Sequence, residues 1–199
     1  MMFYLILDFE TTGFSSDAIP QNYPVQFACQ LVTPSGNIIE EYQTFIKGAI
    51  QLSEWSKKNC PHITIEKCNS EGITMEQLLS KLVNIVGDYN CTLVAHNIEY
   101  DWDKVMIPQI YKQNLHTSIE FTHLKKHDRL CTMLHDKNKY WNRNLNKWCG
   151  PKLENMANKY NIDFDTNQAH DAMYDVDITR QCLAKLLKEP KNQAKQTYR

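Results

Sequence analysis

The feature that most constrains the fold is a short, nearly continuous apolar segment, residues 3–9, that ends in the acids of Asp8-Phe9-Glu10. Such segments are typical of a central strand that is buried on both faces of a sheet. Residues i and i+2 of a strand point the same way, so Asp8 and Glu10 share a face. Two carboxylates on one buried face repel each other and lose hydration, which is costly unless a cation lies between them. The alternative is that the strand simply ends here and that both acids are exposed to water.

Patterns further along the chain predict an α/β fold. Turn residues at 33–37 separate two more strands, 25–32 and 38–46, which indicates an antiparallel meander with the first strand. A short apolar segment at 92–95 predicts a further strand. Helical spacing of apolar residues predicts helices at 75–86, 98–107, 153–160 and 172–187, the second of which Pro108 is expected to kink or end. Strands first, then alternating strands and helices, imply a mixed β-sheet flanked by helices.

The composition is that of a globular protein. Of 199 residues, 42% are hydrophobic and 23% are charged, which excludes a wholly disordered, collagenous or fibrous chain. We expect one domain at residues 1–189 and a basic, flexible tail at 190–199. No segment approaches the roughly 20 apolar residues that span a bilayer, and the amino terminus lacks the basic region of a signal peptide. We therefore expect a soluble, cytoplasmic protein with no membrane partner, and a nuclear or viral context stays open.

The seven cysteines are scattered along the chain and include no Cys-x-x-Cys pair. Disulfide scaffolds and structural zinc sites need clustered cysteines, so the spacing disfavours both. Cys60-Pro61-His62 together with Cys68 has the form of half a zinc site, but the partner pair that would complete it is missing.

The charge is divided unevenly along the chain. Residues 1–100 contain 5 Lys/Arg and 11 Asp/Glu, whereas residues 101–199 contain 17 and 12. This asymmetry indicates an anionic partner for the second half, although two solvated faces of opposite sign would give the same counts.

Two later segments also carry acids where packing alone would not place them. In His96-Asn97-x-x-x-Asp101, a strand gives way to a helix, which Asn97 is expected to cap. Asp101 then lies about one turn into the helix and can lean back toward the strand ends, where ligands often bind in such sheets. The nearby acids at positions 99 and 103 compete with Asp101 for that role.

The third segment is His170-x-x-x-x-Asp175, at the start of the last predicted helix. Asp171 is expected to be the N-cap, which leaves His170 in the preceding loop. Asp175 shares its helix face with uncharged residues at 172, 179 and 182, so this acid is expected to face inward. Asp177 belongs to the polar side, with Arg180 and Gln181.

Taken together, the three segments resemble the motifs of the DEDDh family of 3′–5′ exonucleases, such as the epsilon proofreading subunit of bacterial DNA polymerase III and its stand-alone relatives. The resemblance extends over residues 3–187. The sister group with Tyr-x-x-x-Asp is disfavoured because position 171 is aspartate. Cys131 stands where many relatives have an acid, and residues 135–150 look longer than in compact relatives, which leaves substrate choice open.

The resemblance implies a ribonuclease H-like fold and two Mg²⁺ or Mn²⁺ ions per active site. It implies that Asp8, Glu10, Asp101 and Asp175 bind the metals and that His170 accepts a proton from the attacking water. The implied reaction removes nucleoside 5′-monophosphates from the 3′ end of single-stranded nucleic acid, with DNA favoured. An oligoribonuclease-type exoribonuclease and a catalytically silent nucleic-acid-binding module are the alternatives. A purely structural domain is disfavoured because it leaves the inward acids unexplained.

Substrate contacts are expected from two groups of residues. Residues 125–152 are rich in lysine and arginine interleaved with aromatic residues, a pattern typical of proteins that hold single strands, although a solvated loop is the alternative. Phe14 either stacks on a terminal base or packs into the core. The predicted substrate-binding residues are Thr11, Thr12, Gly13, Phe14, His96, Asn97, Lys139, Tyr140, Trp141 and Arg143. The expected partners are 3′ ends of single-stranded DNA or RNA, while a polymerase partner and the oligomeric state are left open.

Overall fold

The structure is a computed structural model of the chain, and it describes residues 2–13, 22–135, 140–142 and 147–189. Between 140 and 149 only the backbone of two short strands is described. Several residues of the sequence analysis therefore lie outside the described part. They are Phe14, Lys139, Arg143, the predicted tail at 190–199, and the side chains of Tyr140 and Trp141.

The centre of the molecule is a five-stranded sheet. Its strands are β1 (Phe3–Thr11), β2 (Pro24–Val32), β3 (Ile38–Phe45), β4 (Cys91–Ala95) and β5 (Asp128–Cys131). Their order across the sheet is β3-β2-β1-β4-β5. The first three strands pair antiparallel, whereas β4 pairs parallel with β1 and β5 pairs parallel with β4. The predicted meander and mixed sheet are therefore confirmed, and β5 is an addition to the prediction.

Helices cover the sheet, and a separate two-stranded sheet pairs β6 (Tyr140–Asn142) with β7 (Lys147–Cys149). The helices are α1 (Glu54–Asn59), α2 (Ile65–Glu71), α3 (Met75–Val86), a π-helix (Glu99–Met106), α4 (Ile107–Lys112), α5 (Ile119–Leu124), α6 (Thr132–His135), α7 (Leu153–Lys159) and α8 (Ala172–Leu186). None of the helices in the described part of the chain is long and apolar enough to cross a lipid bilayer.

Three predicted helices, now α3, α7 and α8, are confirmed with ends within one residue of the prediction. The fourth, predicted at 98–107, is a π-helix that passes directly into α4. Pro108 is the second residue of α4, where the missing backbone N–H of proline is tolerated. The change from π to α hydrogen bonding thus falls just before the proline. π-Helical segments are rare and often occur at functional sites.

Strand alternation in β1 divides the core into two layers. Leu5, Leu7 and Phe9 face the larger cluster, which includes the apolar side of α3. Tyr4 and Ile6 face the other side, against the apolar residues of α8. Because both faces of β1 are covered, the strand is apolar throughout its first half, as its sequence predicts.

The carboxyl end of β1 extends past its neighbour β4. Pairing with β4 ends at Ile6 opposite Val94, whereas pairing with β2 continues to Thr11 opposite Pro24. The last residues of β1 therefore have an open side at the edge where β4 gives way to the π-helix. This opening is the crevice at the strand ends in which ligands of such sheets usually bind.

Candidate active site

β1 brings Asp8 and Glu10 to this opening. Opposite them in β2 lie Ala28 and Gln26, so no cation of the neighbouring strand faces the acids. Glu10 is 8% exposed, and Cys60 Sγ donates a hydrogen bond to its Oε2 at 3.5 Å. Asp8 keeps some exposure. The charges of Asp8 and Glu10 repel each other, as expected for two acids on one face of a strand.

Asp101 reaches the same place from the π-helix. It is 2% exposed, and its Oδ1 accepts a hydrogen bond from Phe9 N at 3.1 Å. This carboxylate thus occupies the side of β1 beyond the end of β4 and satisfies a buried backbone donor. The two competing acids face other partners, since a carboxylate oxygen of Glu99 lies 3.7 Å from a lysine and one of Asp103 lies 3.1 Å from Arg129.

α8 supplies Asp175, and the loop before it supplies His170. Asp171 is the N-cap of α8, as predicted. The residues at 172, 179 and 182, which share a helix face with Asp175, are all buried. His170 N donates a hydrogen bond to Asp175 Oδ2 at 3.3 Å, so the loop and the first turn of the helix are joined.

Glu10, His170 and Asp175 converge closely enough to hold a metal ion. Each offers one ligand atom, and these atoms lie within 4.8 Å of one another. His170 Nδ1 is 4.0 Å from Glu10 Oε1. Asp8 and Asp101 are not members of this trio, but Asp8 interacts electrostatically with Asp101 and Asp175. Residues far apart in the sequence therefore meet at one place, and the closest trio includes the histidine.

Burial raises the pKa values of all four acids. Burial, followed by the charge of Asp175, raises the pKa of Glu10 to about 8. Burial also raises the pKa of Asp101 to about 8, although the hydrogen bond from Phe9 N opposes this. Burial raises the pKa of Asp175 to about 7. Burial and then the charge of Asp101 raise the pKa of Asp8 well above its ordinary value.

The donor atoms of this cluster fit hard divalent cations. The four acids offer carboxylate oxygens, which Mg²⁺ and Mn²⁺ prefer as ligands. Asp175 Oδ1 is buried, and no residue that the structure describes gives it a hydrogen bond. Among the described residues, no lysine or arginine forms an ion pair with any of the four acids. A bound cation would satisfy the unpartnered oxygen and remove the repulsion between the carboxylates.

His170 stands at the exposed border of the cluster. Its φ of 68° lies in the left-handed region, and its side chain is 43% exposed. The ring of Trp55 in α1 meets the imidazole edge-on, with 5.0 Å between ring centroids. Burial and the positive charge of Lys152 lower the pKa of His170. The imidazole is therefore neutral near pH 7 and has a lone pair with which to accept a proton.

The end of β1 at Thr11 and the two residues after it, Thr12 and Gly13, pack against the start of α1. Tyr100 OH lies 3.1 Å from Thr11 Oγ1, and Ser53 N donates a hydrogen bond to Thr12 O at 2.9 Å. Gly13 has a φ of 91°, and a Cβ at this position would collide with Ser53 Oγ. These contacts give all three residues a structural role, and their predicted contacts with substrate stay predictions.

His96 and Asn97 connect the end of β4 to other segments. His96 Nδ1 lies 3.1 Å from Thr132 Oγ1, and its Nε2 donates to Pro151 O at 3.0 Å. The prediction that Asn97 caps the following helix is wrong. Ile98 occupies the N-cap without a side-chain hydrogen bond, and Asn97 has a φ of 83°. An asparagine tolerates this left-handed turn, so the residue serves the backbone conformation instead of the cap. Their predicted substrate contacts also stay predictions.

Sequence reasoning missed Trp55 and Cys60, which touch the cluster, and Gln26, which contacts Asp171 next to His170. The glutamines at 26 and 30 in an otherwise apolar strand were a readable signal for Gln26. Cys60 was noticed only as half of a zinc site. In the structure Cys60, His62 and Cys68 have separate partners, since Cys68 Sγ donates to Val25 O, whereas His62 lies against Asp171. The described cysteines are free thiols.

Comparison with known proteins agrees with this geometry. A family model described as exonuclease, of the RNase T type, matches residues 5–183. Since the match covers most of the chain, the protein belongs to the RNase T, or DEDD, exonuclease family. No curated protein matches the chain significantly.

Solved structures of exonuclease I have the same fold. The zinc-bound complex of Escherichia coli exonuclease I with single-stranded DNA has a TM-score of 0.66 and 21% identity, over 94% of this chain and 40% of that one. The E. coli enzyme with a dT13 oligonucleotide has a TM-score of 0.67 and 19% identity, over 94% of this chain and 41% of that one. An exonuclease I structure that was interpreted in terms of processivity has a TM-score of 0.68 and 20% identity, over 96% of this chain and 42% of that one. The fold is therefore the ribonuclease H-like exonuclease fold, and the chain spans about two fifths of the exonuclease I chains.

Proposed function

We propose that the protein is a metal-dependent 3′–5′ exonuclease that hydrolyses phosphodiester bonds at the 3′ end of single-stranded nucleic acid and releases nucleoside 5′-monophosphates. The observation that carries this proposal is the meeting of Asp8, Glu10, Asp101 and Asp175 at one crevice, where no lysine or arginine of the described residues pairs with them. Such an arrangement costs stability unless it binds cations, so a structural role does not account for it.

Asp8, Glu10, Asp101 and Asp175 would hold two Mg²⁺ or Mn²⁺ ions. Bound ions would polarise the phosphodiester and make a bound water more acidic. The protein orients two of the carboxylates in advance, since Phe9 N holds Asp101 and Cys60 Sγ holds Glu10. Such preorganisation avoids the cost of reorienting the ligands during the reaction.

His170 would act as the general base that takes a proton from the attacking water. Its position supports this role, because the side chain is partly exposed beside Glu10 and Asp175. Its lowered pKa leaves the ring neutral near pH 7, as proton acceptance requires. The Trp55 ring packs edge-on against the imidazole.

DNA is the favoured substrate. The family resemblance implies this preference, and the similar exonuclease I structures with bound single-stranded DNA or a dT13 oligonucleotide support it. Lys139, Tyr140, Trp141 and Arg143 are proposed to hold the strand, as the sequence pattern of residues 125–152 predicts. Oligoribonuclease-type cleavage of short RNA is the alternative substrate class, and a silent binding module is the alternative without chemistry.

The test is a digestion of matched DNA and RNA oligonucleotides labelled at the 5′ end, with Mg²⁺, Mn²⁺ or EDTA. The proposal predicts a ladder that shortens from the 3′ end of DNA, with either metal and not with EDTA. Faster digestion of RNA would support the oligoribonuclease alternative. Binding of the strands without cleavage under every metal condition would contradict the enzyme and favour the silent module.

A further inference from the structure

We propose that Gln26 is a positioning residue that holds the general base His170 in place. Its side-chain amide fastens the two residues that follow His170 to the central sheet. The inference rests on the proposed function, since the position of His170 affects a rate only if this site is catalytic.

Gln26 lies in β2 directly opposite Glu10 and is 2% exposed. A buried amide needs a partner for its oxygen and for its nitrogen. Gln26 Oε1 accepts a hydrogen bond from Ala172 N at 3.2 Å, and Nε2 donates to Asp171 Oδ2 at 3.2 Å. The Gln26 side chain therefore forms hydrogen bonds with two consecutive residues, Asp171 and Ala172, that lie about 145 positions away in the sequence.

These two hydrogen bonds act at the start of α8. The first N–H groups of a helix have no partner within the helix. Gln26 satisfies the N–H of Ala172, and the N-cap carboxylate of Asp171 satisfies those of Met173 and Tyr174. The amide of Gln26 thus fixes the direction in which the chain enters the helix, and His170 is the residue immediately before.

The backbone conformation of His170 has to be stabilised by the residues around it. A left-handed φ of 68° in a residue with a side chain is unfavourable and persists only when the surroundings determine it. The hydrogen bond from His170 N to Asp175 Oδ2 ties the residue to the helix. Gln26 ties that helix start to the sheet that carries Glu10, so the distance between His170 and Glu10 depends on it.

Two other residues contact the same carboxylate from the exposed side. Gln43 Nε2 lies 3.3 Å from Asp171 Oδ2, and His62 Nε2 lies 3.4 Å from the same oxygen. Both contacts are open to water, which competes for hydrogen bonds. Gln26 is buried and uses both of its polar atoms, so it carries most of the positioning.

The test compares Gln26→Met with Gln30→Met. Gln30 lies on the same face of β2, is also 2% exposed, and reaches α8 at Met173 Sδ instead of the helix start. Gln26→Met removes both hydrogen bonds at nearly constant volume. We expect kcat to fall roughly 10- to 100-fold with KM within about twofold, as for a displaced catalytic group. Gln30→Met, which loses an equally buried amide, should keep most of the activity.

A double-mutant cycle separates positioning from general damage. If Gln26 acts through His170, Gln26→Met should cause little further loss of kcat in a His170→Ala background. Equal fold-losses with and without His170 would overturn the proposal, as would a Gln26→Met enzyme with more than half of the wild-type kcat.

A measurement without catalysis keeps this inference apart from the proposed function. Hydrogen exchange at the amides of residues 172–174 should be faster in Gln26→Met and unchanged in Gln30→Met, and unchanged exchange in both would overturn the positioning role. A wild type that cleaves nothing would refute the proposed function and leave the exchange result to decide. If Gln26→Met does not fold, Asp171→Asn decides. It keeps a good N-cap but loses one acceptor for Gln26, and it should show the same faster exchange.

Discussion

The π-helix and α8 each carry two aspartates that are two residues apart, one of which pairs with an arginine while the other faces the cluster of acids. Asp103 and Asp177 face arginines, with 3.1 Å to Arg129 and 2.7 Å to Arg180. Asp101 and Asp175, half a turn earlier, face the end of β1, and burial raises the pKa of each. Arginines neutralise the first pair, whereas no lysine or arginine in the described part of the chain pairs with the second. Burial without such a cation, more than acidity itself, distinguishes the candidate metal ligands from ordinary surface acids.

The largest predicted effect comes from neutralising one acid of each kind in the π-helix. Asp101→Asn removes a proposed metal ligand, so kcat with Mg²⁺ should fall by more than about 10³-fold, since metal ligation contributes several kcal/mol. Asp103→Asn loses only the contact with Arg129 and should stay within about twofold of wild type. The assay measures kcat on a labelled single-stranded oligonucleotide. Equal losses of kcat in the two variants would mean that Asp101 and Asp103 do not differ in function.

The second effect concerns His170, which borders the acids but differs from them in chemistry. His170→Ala should lower kcat by roughly 10²- to 10⁴-fold if the ring is the general base. Binding of Mn²⁺ and of the oligonucleotide should change little, because the four carboxylates are intact. A rate that equals wild type across neutral pH would remove the histidine from the mechanism.

The third effect is a loss of stability at high pH in the metal-free protein. The pKa values of Glu10 and Asp101 are about 8 in the folded protein, against about 4 in an unfolded chain. The folded state therefore binds more protons between these values, and its free energy of unfolding decreases as the pH rises through this range. In EDTA, Tm should be on the order of 10 °C lower at pH 8.5 than at pH 6.

Excess Mg²⁺ should remove most of this pH difference, because it binds only the folded, deprotonated acids. Asp101→Asn, which lacks one of the buried ionisable groups, should show a smaller difference in EDTA than wild type. If Tm in EDTA stayed constant or rose between the two pH values, the account of the buried acids would be wrong.

The smallest predicted effect is on the other side of α8. Asp177→Asn weakens the partly exposed contact in which Arg180 Nε and Nη2 both donate to Asp177 Oδ1. Such pairs contribute about 0.2–1 kcal/mol, so Tm should fall by no more than roughly 4 °C and kcat should not change. A thermal scan and an oligonucleotide assay of the same preparation check both. A large loss of activity would mean that Asp177 belongs with Asp175.

The sequence predicted those parts of the fold whose patterns are long. β1 is a continuous apolar segment and α3 has a full amphipathic period, so both were found with nearly correct ends. α1 has six residues and β5 has four, with exposed charged positions in each. Segments this short contain too few residues to show a period, and their structure is determined by tertiary contacts.

The same reasoning explains what was found of the candidate site. Asp175 stood out because an acid on an inward helix face is unusual, and Asp101 stood out because it lies near the start of a helix that follows a strand end. Gln26 and Cys60 did not, since their partners, Asp171 and Glu10, lie 145 and 50 residues away. No local pattern reveals which distant residue a buried polar group contacts. The left-handed backbone of Asn97 was also missed, because an asparagine before a helix is more often its cap.

Carboxylates from β1, the π-helix and α8 are proposed to converge and bind divalent cations. A Mn²⁺ titration of the metal-free protein, followed by electron paramagnetic resonance, tests this proposal with Asp101→Asn and Asp103→Asn beside the wild type. We expect two bound Mn²⁺ ions per chain in the wild type and in Asp103→Asn, and weaker or incomplete binding in Asp101→Asn. A wild type that binds no Mn²⁺, or equal binding by all three proteins, would show that these carboxylates do not form the metal site.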